Sequence, residues 1–212
     1  EYSDTKDGVN SYFFIETLAK NIDNDAIIVT DVGTAFIGTM PAMPMTGKQR
    51  LFHASGIAPM GYGLPAAIGA SFANPGRQVI CICGDGGIMF NLQELQTIVH
   101  HKLPIAIFVL SNNGYLTIQN TQANHFGRES VSSPQSGVSF PNFFRVAIAF
   151  GLDASMVCSQ QGDLDVVVHE MLSLRRHGLC EIQMPHAQAL MPRVQTRIEN
   201  GQFLPTDIAD MW

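Results

Sequence analysis

Short apolar runs recur along this chain at a spacing that suits a layered fold of strands and helices. Residues 26–30, 78–83, 105–110, 154–158 and 179–184 are each five or six residues long and mostly Ile, Val, Leu, Ala or Cys. Residues 50–53 offer one further short strand. Between them the apolar positions return at helical spacing, as Phe13, Phe14, Leu18 and Ile22 do within residues 9–22. Residues 61–72, 143–150 and 163–176 read as helices too, as does the stretch through Leu92, Leu95, Ile98 and Val99 that ends near Lys102. Strands apolar on both faces and separated by helices imply a parallel sheet covered on both sides. The expected fold class is therefore α/β, one domain over residues 1–185 with an irregular tail over 186–212, and no repeats.

Such sheets bind ligands outside the carboxyl ends of their strands. Three strand ends here carry polar, glycine-bearing junctions: Asp31-Val32-Gly33, Gly84-Asp85-Gly86-Gly87 and Ser111-Asn112-Asn113-Gly114. The second places one carboxylate among flexible backbone N–H groups, a combination suited to a phosphate and a divalent cation. Asn112 follows Asp85 by 27 positions and supplies an amide oxygen, and Gly114 a backbone carbonyl. Three hard oxygens make half a shell, which phosphate and water complete around Mg²⁺. Taken singly, Gly-Asp-Gly and Asn-Asn-Gly are turn chemistry; together, after two buried strands, they point to a metal–phosphate site. A dinucleotide fingerprint is absent, since no Gly-x-Gly-x-x-Gly opens a helix.

Charge narrows the partners. The chain has 18 acidic and 12 basic residues, a formal net charge of −6, which argues against nucleic acid or an anionic membrane. No apolar run approaches the ~20 residues of a membrane span. Charged residues make up only 14% of the chain against a usual ~25%. Either part of the surface is hidden against something else, as the charge-depleted cores of interfaces are, or the chain is unusually insoluble. The polar N-terminus, Glu1 onward, is no signal peptide and lacks an initiator Met, as expected of a piece of something longer. Cys81, Cys83, Cys158 and Cys180 read as buried free thiols in a reducing cytoplasm.

Other local expectations follow. Asn91 and Glu94 resemble a capping box. Residues 115–141, rich in Ser, Gln, Asn and Gly, read as a long loop. His53 and His125 are within reach of a strand-end site, yet no spacing gives either a base partner, so a structural role is favoured for each. His100 and His101 suit a helix C-terminus.

Gly84-Asp85-Gly86, followed by Asn112-Asn113 after a helix and a strand, resembles the signature of thiamine diphosphate enzymes. The segment from Ala58-Pro59-Met60-Gly61 to Ala70 is similar to the acetohydroxyacid (acetolactate) synthase branch, and the likeness runs from about Asp7 to Met184. It covers the diphosphate-binding domain only, normally the last of three. The resemblance implies that Asp85, Asn112 and the Gly114 carbonyl ligate Mg²⁺ or Ca²⁺. It implies that Gly86, Gly87, Gly114 and Tyr115 donate backbone N–H groups to the diphosphate, beside Gly84. Met60 matches the bulky residue that props the bent cofactor, and Ala58 the position whose carbonyl accepts from the aminopyrimidine. Gly33 and Thr34 would meet a phosphate.

The resemblance further implies a 2-keto acid substrate such as pyruvate, a homodimer or tetramer, and pyrimidine-binding and central domains elsewhere. No catalytic residue is expected in this chain, because the activating glutamate belongs to the pyrimidine domain; FAD, where used, belongs to the central one. The pattern departs from the synthases in four places. Gly33-Thr34-Ala35 stands for their Gly-Gln-His, closer to keto-acid decarboxylases, and Ala58 stands for a glycine. Thr121 stands near their loop Trp, and the closing Met191-Pro192-Arg193 and residues 204–212 resemble synthase-like proteins of surface-sugar biosynthesis. Two other readings stay open: a non-catalytic phosphate- or nucleotide-binding domain, and one subunit of a two-chain enzyme.

Overall fold

In a computed structural model the described residues are 7–191, 196–199 and 202–205. Six parallel strands form one sheet: β1 (Ile27–Thr30), β2 (Arg50–Phe52), β3 (Val79–Gly84), β4 (Ile105–Ser111), β5 (Ala154–Cys158) and β6 (Gly178–Gln183). Their order is β2-β1-β3-β4-β6-β5, with Ile28 level with Ile80, and Cys83 level with Val109. The chain moves from β1 outward to β2, then returns to the other side of β1 for β3. That reversal leaves a crevice between the carboxyl ends of β1 and β3, where such sheets take ligands.

The helices are α1 (Ser11–Asn21), α2 (Thr34–Ala42), α3 (Gly63–Ala73), the single turn α4 (Asp85–Ile88), α5 (Glu94–His101), α6 (Leu116–Phe126), α7 (Phe143–Phe150) and α8 (Leu164–Ser173). Period-2 alternation sends Ile28, Ile80, Ile82 and Phe108 to one face, against Phe14 and Leu18 of α1 and Leu164 and Val168 of α8. Ile27, Val29, Cys81 and Ile107 go to the other, against Leu64 of α3, Leu95 and Ile98 of α5 and Phe143 of α7. β1 and β4 are buried at every residue. The covered parallel sheet expected from the sequence is the one observed.

The differences have local causes. Three helices were not expected: the single turn α4 forms on the glycine-rich break after β3, α2 contains Pro41 and Gly38 and begins on a Gly33 at φ +67, and α6 lies inside the supposed loop. α6 is polar, and it is fixed from outside: Gln119 donates to the Ser132 carbonyl at 2.7 Å, and Gln122 makes bonds in both directions with the Ser130 backbone. Asn91 does not cap α5. Its side chain turns away and donates to the Gly61 carbonyl at 2.8 Å, while α5 begins after Gln93 with no side-chain cap. The tail is not wholly irregular, since β7 (Thr196–Glu199) and β8 (Gln202–Pro205) form an antiparallel pair. The sugar-enzyme likeness at Pro192, Arg193 and residues 206–212, and the polar stretch 1–6, lie outside the described residues. All four cysteines are buried free thiols.

Candidate cofactor site

The strand ends converge. β3 delivers Asp85, 2% exposed, into the first position of α4. Its Oδ1 accepts from Gly86 N–H at 2.7 Å, and its Oδ2 from Asn112 and Gly114 N–H at 3.1 and 3.2 Å. These donors come from the β3 and β4 junctions, which adjacent pairing of the two strands brings together. Burial outweighs the donors and raises the Asp85 pKa to about 6. No Lys, Arg or His is paired with this carboxylate among the described residues.

Asn112 is fixed by its outer side. Its Nδ2 donates to the His186 carbonyl at 3.2 Å, and the His186 ring Nδ1 lies 3.1 Å from the Asn112 carbonyl. With its amide nitrogen so engaged, Asn112 keeps Oδ1 for an electropositive group. The strap bearing His186 is itself stitched to α1, where Gln188 accepts from Ser11 N–H and donates to Ser11 Oγ. Sequence reasoning passed over this strap, because its bonds join positions 177 apart.

A cavity of about 160 Å³ opens above these groups, lined by Gly33, Thr34, Met60, Gly84, Asp85, Gly86, Gly87, Asn112, Gly114 and Tyr115 together with Thr117 and Ile118. Ten of the eleven residues singled out in the sequence therefore line one space. Ala58 does not border it. It borders a neighbouring cavity of about 390 Å³ that shares Val32, Gly33 and Thr117 with the first. Ala58 sits at φ +51, a left-handed conformation that costs a residue with a Cβ ~1–2 kcal/mol and glycine nothing. Thr117 joins the two cavities and went unnoticed in the sequence; its only signal is a hydroxyl three positions after the strand-end Gly114, at the second residue of α6.

Close packing explains two of the glycines. A Cβ on Gly86 would lie 2.1 Å from Tyr115 Cε1, and one on Gly114 would lie 2.3 Å from Gln119 Nε2 and 2.7 Å from the Ser132 carbonyl. The amide donors are a different matter. Tyr115 N–H is engaged by the Ser132 carbonyl at 2.8 Å, and the N–H groups of Gly86 and Gly114 by Asp85. The Tyr115 ring, stacked edge-on against Phe140, contributes a wall. The residues fit a cation and a diphosphate in donor chemistry: a buried carboxylate without a cationic partner, an oriented amide oxygen, and a floor that admits no side chains.

His53 and His125 border neither cavity. The His53 ring packs against Phe36, and the His125 ring against Phe126. His100 and His101 occupy the last turn of α5. No group of three His, Cys, Asp or Glu residues forms a metal cluster among the described residues, and no described helix is long and apolar enough to cross a membrane.

Comparison with known proteins agrees with this geometry. The family model for the thiamine pyrophosphate enzyme C-terminal TPP binding domain matches residues 31–183, which begins at the β1 junction and ends with β6. The acetolactate synthase isozyme 1 large subunit of Escherichia coli (strain K12) is 31% identical over 201 residues, 93% of this chain and 35% of the relative. The acetolactate synthase large subunit of Porphyra purpurea is 33% identical over 180 residues, 85% of this chain and 30% of the relative. The isozyme 3 large subunit of E. coli is 35% identical over 153 residues, 71% of this chain and 26% of the relative. The chain thus spans about a third of the length of the curated relatives it matches. A crevice at the sheet's reversal point, a buried carboxylate there without a cationic partner among the described residues, and a family match that runs from the end of β1 through β6 agree: the chain belongs to the thiamine pyrophosphate enzymes, as an acetolactate synthase-like C-terminal TPP-binding domain.

Proposed function

We propose that this domain holds thiamine diphosphate through Mg²⁺ (or Ca²⁺) as part of a 2-keto acid carboligase or decarboxylase acting on pyruvate or a close analogue. The carrying observation is Asp85: a carboxylate buried to 2% exposure, faced by three backbone N–H donors and, among the described residues, no cationic side chain. Asp85, Asn112 Oδ1 and the Gly114 carbonyl would hold the cation. Gly86 and Gly87 would let the diphosphate approach the backbone, and Thr34 and Thr117 would offer hydroxyls beside it. Met60 would support the cofactor's bend and the Ala58 carbonyl would accept from its amine. When bound, the cofactor supplies the carbon that adds to the keto group and holds the electrons left as CO₂ departs.

The activating carboxylate is assigned to a pyrimidine-binding domain outside this chain, and any FAD to a central domain. The surface supports such neighbours. Ile57 is 89% exposed beside Ala58 and Met60, and Phe90 is 58% exposed after α4. On α3, Pro65, Gly69 and Phe72 form an exposed stripe opposite the buried Leu64, Ala67 and Ile68. Those domains and a second subunit are proposed to cover this face, in a cytoplasmic dimer or tetramer. Titration of the full-length protein with thiamine diphosphate tests the reading. Binding should require Mg²⁺ and disappear in Asp85→Ala and Asn112→Ala; tight nucleotide binding that survives both changes would replace it with a nucleotide-binding role.

A further inference from the structure

Asp31, the carboxylate at the end of β1, is 1% exposed, and the metal–phosphate chemistry above makes no use of it. Its oxygens accept from Val32 N–H at 2.7 Å and from Gly61 N–H at 3.2 and 3.0 Å. Gly61 is held on its other side too, because Asn91 Nδ2 donates to the Gly61 carbonyl at 2.8 Å. One residue thus has its N–H and its C=O fixed by two side chains 60 positions apart, Asp31 at the end of β1 and Asn91 between α4 and α5. Gly61 is also confined in space. A Cβ there would lie 2.7 Å from Phe90 Cβ, and its φ of +87 suits glycine.

The residue before Gly61 is Met60, which lines the cofactor cavity. The same Asp31 carboxylate reaches the opposite wall, lying 2.9 Å from where a Cβ on Gly87 would stand. It therefore sets the spacing between the loop carrying Ala58 and Met60 and the glycines of α4. Resting on the functional reading above, we infer that Asp31 and Asn91 are positioning residues that clamp Gly61 and so fix Met60 against the organic end of the cofactor, leaving the diphosphate end to Asp85 and Asn112. Neither side chain touches the reacting atoms in this assignment. Their effect passes through one peptide unit.

The division of labour makes a split that a merely structural role would not. Full-length protein is titrated, with Mg²⁺ present, with thiamine diphosphate and separately with inorganic pyrophosphate, which lacks the organic end. Asp31→Asn keeps the side chain's size and removes its charge. It should weaken thiamine diphosphate at least tenfold and pyrophosphate less than twofold, and Asn91→Ala should show the same split. The double variant should lose little more than either single one, because both hold one residue. Equal loss of both ligands, or loss of neither, overturns the clamp. Full additivity overturns the shared action through Gly61. If Asp31→Asn fails to fold, the split in Asn91→Ala decides alone. Wild-type protein that binds pyrophosphate but gains nothing from the organic end overturns the functional reading and the clamp with it, a result distinct from any variant effect.

Discussion

The two ends of the sheet treat charge in opposite ways. The two Arg–Asp ion pairs among the described residues, Arg77–Asp25 and Arg175–Asp23, and the His177–Asp153 contact at 3.5 Å all lie at its amino end, just before β1, β3, β5 and β6. At the carboxyl end Asp31 and Asp85 are buried to 1% and 2% exposure and meet backbone N–H groups alone. Acids at the amino end are solvated and matched by side chains; acids at the carboxyl end are desolvated and held by amides. Burying a carboxylate without a cation costs stability, so the carboxyl end is built at the expense of the folded state. In the function proposed above, that cost is offset by a counter-charge brought from outside. The amino end only stabilises.

Removing the unmatched acid should have the largest effect. Asp85→Ala deletes the group on which the β3 and β4 junctions converge. It is expected to weaken Mg²⁺-dependent thiamine diphosphate binding by ~100-fold or more, since ligand-holding groups one step further out already cost 10–100-fold. Calorimetry on the full-length protein reads this. An affinity within tenfold of wild type would mean the carboxyl end is not the cation's seat.

Crowding the same end comes next. Gly114→Ala puts a methyl group 2.7 Å from the Ser132 carbonyl, and backbone yields less readily than the Gln119 side chain. A loss of ~1–3 kcal/mol in urea unfolding is expected, with weaker cofactor binding, because the Gly114 N–H also donates to Asp85. Unchanged stability would show that the junction has slack the packing does not reveal.

The pH response separates the two ends by sign. Burial raises the Asp85 pKa from 3.8 to about 6 and raises that of Asp31 as well. A carboxyl group whose pKa rises on folding takes up a proton more readily when folded. Its cost is therefore present above pH 6 and is relieved as pH falls toward 4. The cation needs the ionised form, so the increase in Tm given by Mg²⁺ plus thiamine diphosphate should shrink as pH drops through about 6. Thermal melts with and without ligand at pH 7.5, 6 and 5 test this; a ligand increment that grows on acidification would contradict it.

How legible each end was follows from where its forces come from. β3 and β4 could be read because strands buried on both faces need long Ile–Val runs, and the glycines after them could be read because they interrupt those runs. Asp85 and Asn112 came together once the strands were taken as neighbours. Asn91 misled, since Asn three residues before Glu is a local cap signal, and the Gly61 carbonyl that captured it belongs to another loop. α6 was hidden for a similar reason: Gln119 and Gln122 look like loop composition until Ser130 and Ser132 fold back onto them. The amide assignments implied by family likeness were legible in position only. Tyr115 stands in the cavity, while its N–H serves Ser132.

The smallest expected effect belongs to the amino end, and it tests whether that end is as passive as the contrast requires. Arg175 makes two bonds to Asp23 at 2.6 and 2.8 Å, and the hydrogen bond holds the Asp23 carboxyl below its usual pKa. The pair's contribution is thus present above pH ~4 and fades as pH falls, opposite in sign to that of Asp85. The side chains of Arg175 and Asp23 are 53% and 35% exposed, so solvent screening keeps the pair at ~1 kcal/mol or less. Arg175 also sits at φ +50, a conformation costing ~1–2 kcal/mol for any residue with a Cβ. Arg175→Ala loses the pair and keeps the strain; Arg175→Gly loses both. Stability should therefore rank Arg175→Gly at or above wild type and Arg175→Ala below it, with the Ala variant losing no more than about 4 °C in Tm and neither changing cofactor affinity. A loss in Arg175→Gly as large as in Arg175→Ala would show that the pair outweighs the backbone strain, and the amino end would then be an anchor of the fold.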